Sequence, residues 1–392
     1  MNEDKKLKRI ASVCMKDDLS CFDPYDIWMT DLGIQVKSLF NKNKYLGILP
    51  AAGVTLFDHF LNNNTRLGYK KREYPTARAM AALTLLNLYK RENKEELLQG
   101  AKLHLDWLLE NTCKGYAGLC WGLGFKWAAG EGLDYNENTP FSTHTPYALE
   151  AIHTYVKLTK DTSYIRHIKS IFEFYENDIK VLYEDETEMA TSYGPSKDRL
   201  VTNAVSYTMY AYAIFLGYLP DKDDAIKEKI GKLYNFIQNR QRNDGSWLYS
   251  PEDEDSFIDC FHSCFVLKNI HKTHQIIPLN DVEKTINMGY DYLKLHFYEA
   301  DAELFKRFSL SNKPSIIKYD LYDNAEFLHL AVLLRDLDFA KKLAASIDLK
   351  FCKGDAIYSV IDMFNFRKNK NTLRWANMPY LYALSALYLF QT

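Results

Sequence analysis

A chain of 392 residues with 47% hydrophobic and 26% charged residues can bury a large core, which excludes intrinsic disorder. Its formal net charge of −2, with acids and bases mixed along the whole length, offers no basic stripe for a phosphate backbone, so nucleic acid is excluded as a partner. No apolar run has the length of a signal peptide or of a membrane span, and seven cysteines without framework spacing fit a reducing compartment; the expected localisation is cytoplasmic, with peripheral attachment to a membrane assembly left open.

Aromatic residues are unusually abundant, with 28 Tyr, 22 Phe and 6 Trp. Rings in such numbers fill thick helix-to-helix layers or line a groove for a flat ligand such as a sugar. In chain order, the first 60 residues (with YDIWMTDLGIQVKSLF) precede six helices rich in small and apolar residues. These open near Pro75 (PTARAMAALTLLNLY), Thr145 (TPYALEAIHTYVKL), Thr202 (TNAVSYTMYAYAIFL), Asp259 (DCFHSCFVLKNI), Asp320 (DLYDNAEFLHLAVLL) and Arg374 (RWANMPYLYALSALYLF). The first interval is about 70 residues and the others roughly 55 to 60, the mark of one repeated supersecondary unit. Segments 95–110, 163–176, 224–239 and 281–296 lie between them, with apolar positions three and four apart.

A helix apolar on nearly every face must be buried on every face, whereas one with a charged stripe can meet water. The alternation therefore predicts an all-α fold, an (α/α)6 toroid of inner and outer helices over residues 1–392, with 1–70 supplying the outer partner that completes the ring. Strand signals are nearly absent. Pro75, Pro146 and Pro379 fall in first turns of inner helices, where a missing N–H costs little. Long connections at 111–143, 177–201, 240–258 and 297–319 all run from an outer to the next inner helix, so they share one mouth with the inner-helix N-termini.

The first connection carries Trp121, Phe125 and Trp127 among glycines, before His144. Either it presents rings to a sugar or it is a covering loop whose Trp side chains anchor in the core. The second brings Tyr193, Lys197, Asp198, Arg199 and Asn203 to a helix start, where N–H groups and the macrodipole favour an anion; otherwise Asn203 is an N-cap and Arg199 a solvated group. The third has an Asp244-Gly245 turn, then Trp247 and Tyr249, then Asp259 and His262 three apart on one helix face. An Asp beside a His orients the imidazole as a general base, unless Asp259 only caps the helix and His262 is a hydrogen-bonded core residue. Cys260 and Cys264 beside His262 lack the spacing of a metal site and read as buried thiols, so no metal and no cofactor are expected. The last two inner helices bring Asp320, Asn324, Glu326 and His329, then Arg374, Trp375, Asn377 and Tyr380. Buried carboxylates there must pair with each other, with Arg374 or with a ligand.

Taken together, WGLGFKW before STHTPYALEAI, SYGPSKDRLVTNA, QRNDGSW before IDCFHSCFVL, and the closing RWANMPYLYAL resemble the VpsJ-like bacterial polysaccharide-biosynthesis proteins. That family is similar to the helical domains of squalene cyclases and glucuronyl C5-epimerases. The resemblance covers about residues 75–392 and implies a toroid and a glycan context. Two segments depart from the family's pattern: Ser263-Cys264 stands for a usual Thr-Gly, and in DLYDNAE, Tyr322 and Glu326 occupy altered positions while Asp320 carries over.

The expected function is that of a carbohydrate-active enzyme of surface polysaccharide biosynthesis. It would act on a uronic acid residue of a glycan or lipid-linked precursor by C5-epimerisation or β-elimination. Both reactions need a base (His262 with Asp259), a proton donor (Tyr193 or Tyr249) and a cation on the carboxylate (Arg374 or Arg199). Trp121, Trp127, His144, Asn203, Trp247 and Trp375 are expected to bind substrate. A glycoside hydrolase using Glu326 and Asp320 as paired carboxylates is the enzyme alternative, and a non-catalytic glycan-binding or scaffold protein the alternative from another class. PEDEDSFID lacks the D-x-D-D acid motif of a terpene cyclase.

Overall fold

The computed structural model describes residues 3–130, 133–196, 199–311 and 315–390, so Lys197 and Asp198 lie outside the described residues. The chain opens with α1 (Glu3–Cys14) and a hairpin of α2 (Asp31–Lys42) and α3 (Lys44–Leu56). Inner and outer helices then alternate: α4 (Pro75–Glu92), α5 (Glu95–Glu110), α6 (Thr145–Thr159), α7 (Ile165–Asn177), α8 (Thr202–Phe215), α9 (Asp223–Asn239), α10 (Cys260–His274), α11 (Val282–His296), α12 (Leu321–Leu333), α13 (Leu337–Phe351) and α14 (Met378–Tyr388). Each even-numbered helix from α4 to α14 packs on the next, and α14 returns to α4, closing a ring of six. All of α8 is buried, as an inner helix requires, whereas α7 buries Ile168, Ile171, Phe172 and Tyr175 along one stripe.

The sixth outer position is filled by α1, which packs on α4 and α14 through Leu7, Ile10 and Cys14, a buried row at helical spacing. Helix α1 lies within residues 1–70, the stretch expected to supply this partner; the segment YDIWMTDLGIQVKSLF in the same stretch takes another place. It forms a short 3-10 turn (Asp26–Met29) and α2, which packs against the strand Trp127–Gly130.

The near-absence of strands is also corrected. The outer-to-inner connections hold short antiparallel pairs: Trp127–Gly130 with Leu133–Tyr135, Val181–Glu184 with Met189–Thr191, Ile258–Asp259 with Phe308–Leu310, and Tyr298–Glu299 with Leu304–Phe305. A fifth connection, 352–377, adds a small sheet of Cys352–Lys353, Ala356–Asp362, Arg367–Lys370 and Ile317–Asp320. Strands of two to four residues are too short to show alternation in sequence, yet they satisfy backbone groups that cross the ring mouth.

Helix starts follow local chemistry. Pro75, Pro146 and Pro379 occupy first-turn positions. Asp320 is the N-cap of α12, its carboxylate accepting from Tyr322 N at 2.9 Å. Helix α14 begins at Met378 rather than Arg374, because Ala376 takes φ +86° and breaks the helix; Thr372 and Ser359 hydroxyls hold the Trp375 carbonyl at 3.1 and 3.0 Å. This break turns Arg374 and Trp375 into the mouth.

Candidate active site

A cavity of about 310 Å³ opens at the ring mouth. Its floor is aromatic: Tyr207, Phe261 and Phe265 from α8 and α10, with Tyr147, Tyr322 and Trp375 against them. The connections supply the walls, including Phe125, Trp127, Tyr193, Arg199, Tyr249, Arg307 and Arg374. No Asp or Glu is among the described lining residues.

At one side stands His262, in the first turn of α10. Both carboxylate oxygens of Asp259 accept from its Nδ1 at 2.8 Å, and Asp259 makes no side-chain cap bond. The cap comes instead from the neighbouring α12, where Asp323 Oδ1 accepts from Phe261 N at 3.1 Å. Freed from capping, Asp259 is 2% exposed and sits behind the ring rather than in the cavity. Tyr249 and Phe261 flank the imidazole, at centroid separations of 4.6 and 4.0 Å. Nδ1 is thus committed to the carboxylate, and Nε2, which makes no hydrogen bond among the described residues, is the nitrogen available for proton transfer. The thiols of Cys260 and Cys264 on the same helix are fully buried and pushed up by desolvation.

Three guanidiniums line the cavity, and they differ in partners. Arg374 is held in a two-pronged ion pair by Asp23, both bonds 2.7 Å, so the Asp320–Arg374 contact considered from sequence is not formed. Arg307 points one nitrogen at Asp320 (3.4 Å) and at Tyr25 Oη (3.3 Å). Arg199 donates to Tyr249 Oη at 2.7 Å and lies over the rings of Tyr193 and Tyr249, with no carboxylate paired to it among the described residues. Lys37, on α2, lies 3.0 Å from the centre of the Trp127 ring; burial, with help from Arg199, pushes its ammonium down to about 7. Asn203 is not an N-cap. Val201 holds that position, and Asn203 lines the cavity with Oδ1 unpaired among the described residues. His144 also lines it, its ring pushed down to about 3 by burial and then by Arg374, hence neutral.

Four expected site residues lie elsewhere. Trp121 and Trp247 are both buried, and each donates its indole N–H at 2.9 Å to a last-turn carbonyl of the preceding outer helix, Leu108 on α5 and Ile237 on α9. Last-turn carbonyls lack the donor one turn further on, although Leu108 O also accepts from Asn111 N at 3.2 Å, and each Trp anchors its connection instead of offering a face to ligand. Gly245 completes the second anchor: its φ is +92°, and a Cβ there would lie 2.2 Å from Met288 O. Asp320, fully buried, accepts from Trp375 Nε1 (3.0 and 3.2 Å) and Arg307, and positions both. Glu326 pairs with Lys268 in a smaller space down the ring lumen, where Lys272 also meets Glu150, under the hydrogen-bonded hydroxyls of Tyr147 and Tyr207. The hydrolase pair of Asp320 and Glu326 is therefore not assembled at the cavity.

Several lining residues went unremarked in the sequence. Tyr207 follows Asn203 by four and Phe265 follows Phe261 by four, so the helical period could have found them. Tyr25 and Arg307 carry no such signal. Tyr25 reaches the wall from the N-terminal segment, edge-on to Trp127 and Trp375, and Arg307 is set by its backbone carbonyl accepting from Cys260 N at 2.9 Å.

No family model matches the sequence, and no curated protein matches it by sequence. Solved structures do match by shape. The cellobiose 2-epimerase of Bacillus thermoamylovorans B4167 aligns with TM-score 0.63 at 14% identity over 86% of this chain and 97% of that one. A polysaccharide lyase aligns at 0.57 and 12%, covering 92% and 98%, and the GH76A α-1,6-mannanase of Salegentibacter sp. HEL1_6 at 0.57 and 11%, covering 98% and 99%. At such identities the likeness establishes the (α/α)6 toroid, over nearly the full length of these neighbours, and the fold alone.

Proposed function

We propose that the chain is a carbohydrate-active enzyme that removes the proton beside the carboxylate of a uronic acid residue in a glycan. The observation that carries this reading is the composition of the cavity: an Asp-oriented histidine, three guanidiniums and a wall of rings, with no carboxylate among the described lining residues. A two-carboxylate hydrolase needs the opposite composition. An anionic sugar fits, because Arg199 has no acidic partner among the described residues and the rings suit the C–H faces of a pyranose.

In this mechanism Arg199 holds the sugar carboxylate and neutralises the charge that grows on it as the C5 proton leaves. His262 Nε2 takes that proton, and Asp259 stabilises the resulting imidazolium. The C5 carbanion, delocalised into the carboxylate, then has two outcomes. A proton returned to the opposite face gives the C5 epimer; departure of the C4 glycosyl oxygen, with a proton supplied to it, gives the unsaturated sugar. Tyr249 is the assigned donor, since burial keeps its phenol protonated and its oxygen already contacts Arg199. Solved structures named as a cellobiose 2-epimerase and a polysaccharide lyase share the toroid, and they support the reading through the fold. The VpsJ-like resemblance supports a place in surface polysaccharide biosynthesis.

The test is product analysis by proton NMR after incubation with glucuronate-containing oligosaccharides and with neutral analogues. A new C5 epimer or a C4–C5 unsaturated product from the uronate alone supports the reading. Turnover of the neutral sugars alone contradicts it, and tight uronate binding without turnover moves the assignment to a glycan-binding protein.

A further inference from the structure

Large apolar side chains are unevenly exposed over this molecule. Of the 23 exposed among the described residues, nine fall between Tyr45 and Leu67 and three more at 363–366. The two stretches are one surface. Phe60 and Phe364 lie 6.2 Å apart, His59 Nε2 meets Asp362 at 2.9 Å, and Asn63 donates to Asn369 at 2.8 Å. Leu49 is 80% exposed, Leu61 71% and Phe366 61%, so the patch is far more open than the scattered apolar residues of an ordinary surface.

Helix α3 explains the shape. Its sequence, KYLGILPAAGVTL, is apolar on almost every face, yet among the described elements it packs chiefly on α2 and the turn that follows it. It has 13 residues, about 20 Å at the rise of an α-helix, against the roughly 30 Å of a hydrocarbon core. No described helix is long and apolar enough to cross a membrane. A short apolar helix of this kind lies along an interface, not through it.

Charge selects the occupant. Residues 40–72 and 362–372 carry nine Lys and Arg, of which Lys42, Lys44, Lys70, Lys71, Arg367 and Lys370 are exposed. The two acids in these stretches are both buried and bonded inward, Asp58 to Tyr69 and Asp362 to His59. A second copy docked symmetrically on this face would set a basic rim against itself. An anionic lipid surface meets both the rim and the rings, since lysines reach headgroups while Phe and Leu enter the acyl boundary.

We propose that the α3 face, with the 363–366 turn, docks the protein on an anionic lipid bilayer. Because α2 packs on the Trp127 strand, docking holds the rim of the cavity at the membrane.

Co-sedimentation with phosphatidylcholine vesicles, with and without phosphatidylglycerol, tests this. The wild type is expected to pellet with the anionic vesicles and to be released by high salt. The triple variant Leu49→Ser, Leu61→Ser, Phe366→Ser is expected to lose about tenfold or more in partitioning, and Lys42→Gln, Lys44→Gln, Arg367→Gln to lose several-fold on the anionic vesicles alone; thermal unfolding near that of wild type confirms that each variant is folded. Wild type that stays in the supernatant with both vesicle types overturns the proposal. So does a dimer, seen by light scattering, that the apolar variant abolishes, because the face then belongs to a second copy.

Discussion

Asp259 accepts from His262 Nδ1 with both carboxylate oxygens at 2.8 Å, across one turn of α10, while leaving the cap of that helix to Asp323. A carboxylate released from capping and bonded to an imidazole orients a base. Asp259→Asn is expected to leave the fold intact but to lower kcat by on the order of 100-fold or more, since the amide no longer fixes the tautomer or stabilises the imidazolium. Steady-state kinetics with thermal unfolding of the same preparation check it. An activity loss that only tracks the unfolded fraction assigns Asp259 to stability.

The guanidiniums should separate by experiment. Arg199→Gln removes the cation that has no acidic partner among the described residues, so KM for a uronate glycan is expected to rise about ten- to 100-fold, as for a charge-assisted hydrogen bond of roughly 1.5–3 kcal/mol, with thermal stability nearly unchanged. Arg374→Gln strands the buried carboxylate of Asp23 and is expected to cost about 3–5 kcal/mol of stability instead. Urea unfolding and substrate titration of both variants distinguish the two roles.

Trp247 is an anchor, so Trp247→Phe should cost about 1–3 kcal/mol by leaving the Ile237 carbonyl unsatisfied, while activity per folded molecule stays at the wild-type level. Trp127→Ala should do the reverse, weakening glycan binding with little change in stability, because Trp127 faces the cavity. A Trp247→Phe protein that is stable but fails to bind glycan contradicts this division.

Acid sensitivity follows from a buried histidine away from the site. His104 accepts from Arg78 at Nδ1 (2.9 Å) and donates from Nε2 to Cys14 O (2.6 Å), and burial pushes it down to about 4. The unfolded chain therefore binds the proton first on acidification. The stability contributed by neutral His104 is fully present above about pH 6.5 and is lost as pH falls from there through 4, amounting to about 2 kcal/mol by pH 5. Between pH 7 and 5, urea unfolding of His104→Gln should lose about that much less than wild type. Equal losses would show that His104 does not carry the acid response.

The ring was legible because period and burial agree: all-apolar helices and striped helices alternate, and prolines mark three of the starts. Residues in the first turn of an inner helix, such as His262 and Asn203, do reach the cavity, as does Arg199 just before α8. Side chains on the connections were less legible. Trp121 and Trp127 stand six apart in one loop with the same residue type, yet one is spent on an α5 carbonyl and the other faces the cavity, a choice made by tertiary contacts. Asp320 and Glu326 looked like a catalytic pair because a buried carboxylate demands a partner; Arg307 and Lys268, far from either in the helical pattern, satisfy that demand. Which part of residues 1–70 closes the ring was less legible, since the charged residues of α1 hide a short buried row.

The central claim, abstraction of the C5 proton by His262, is tested most directly by mass spectrometry of a glucuronate oligosaccharide incubated in D2O with wild type and with His262→Gln. The account predicts one solvent deuterium at C5 of the epimer with wild type, or an unsaturated product lacking that proton. With a folded His262→Gln protein it predicts a rate lower by on the order of 100- to 10,000-fold. Wild-type exchange or elimination by the folded variant would contradict it.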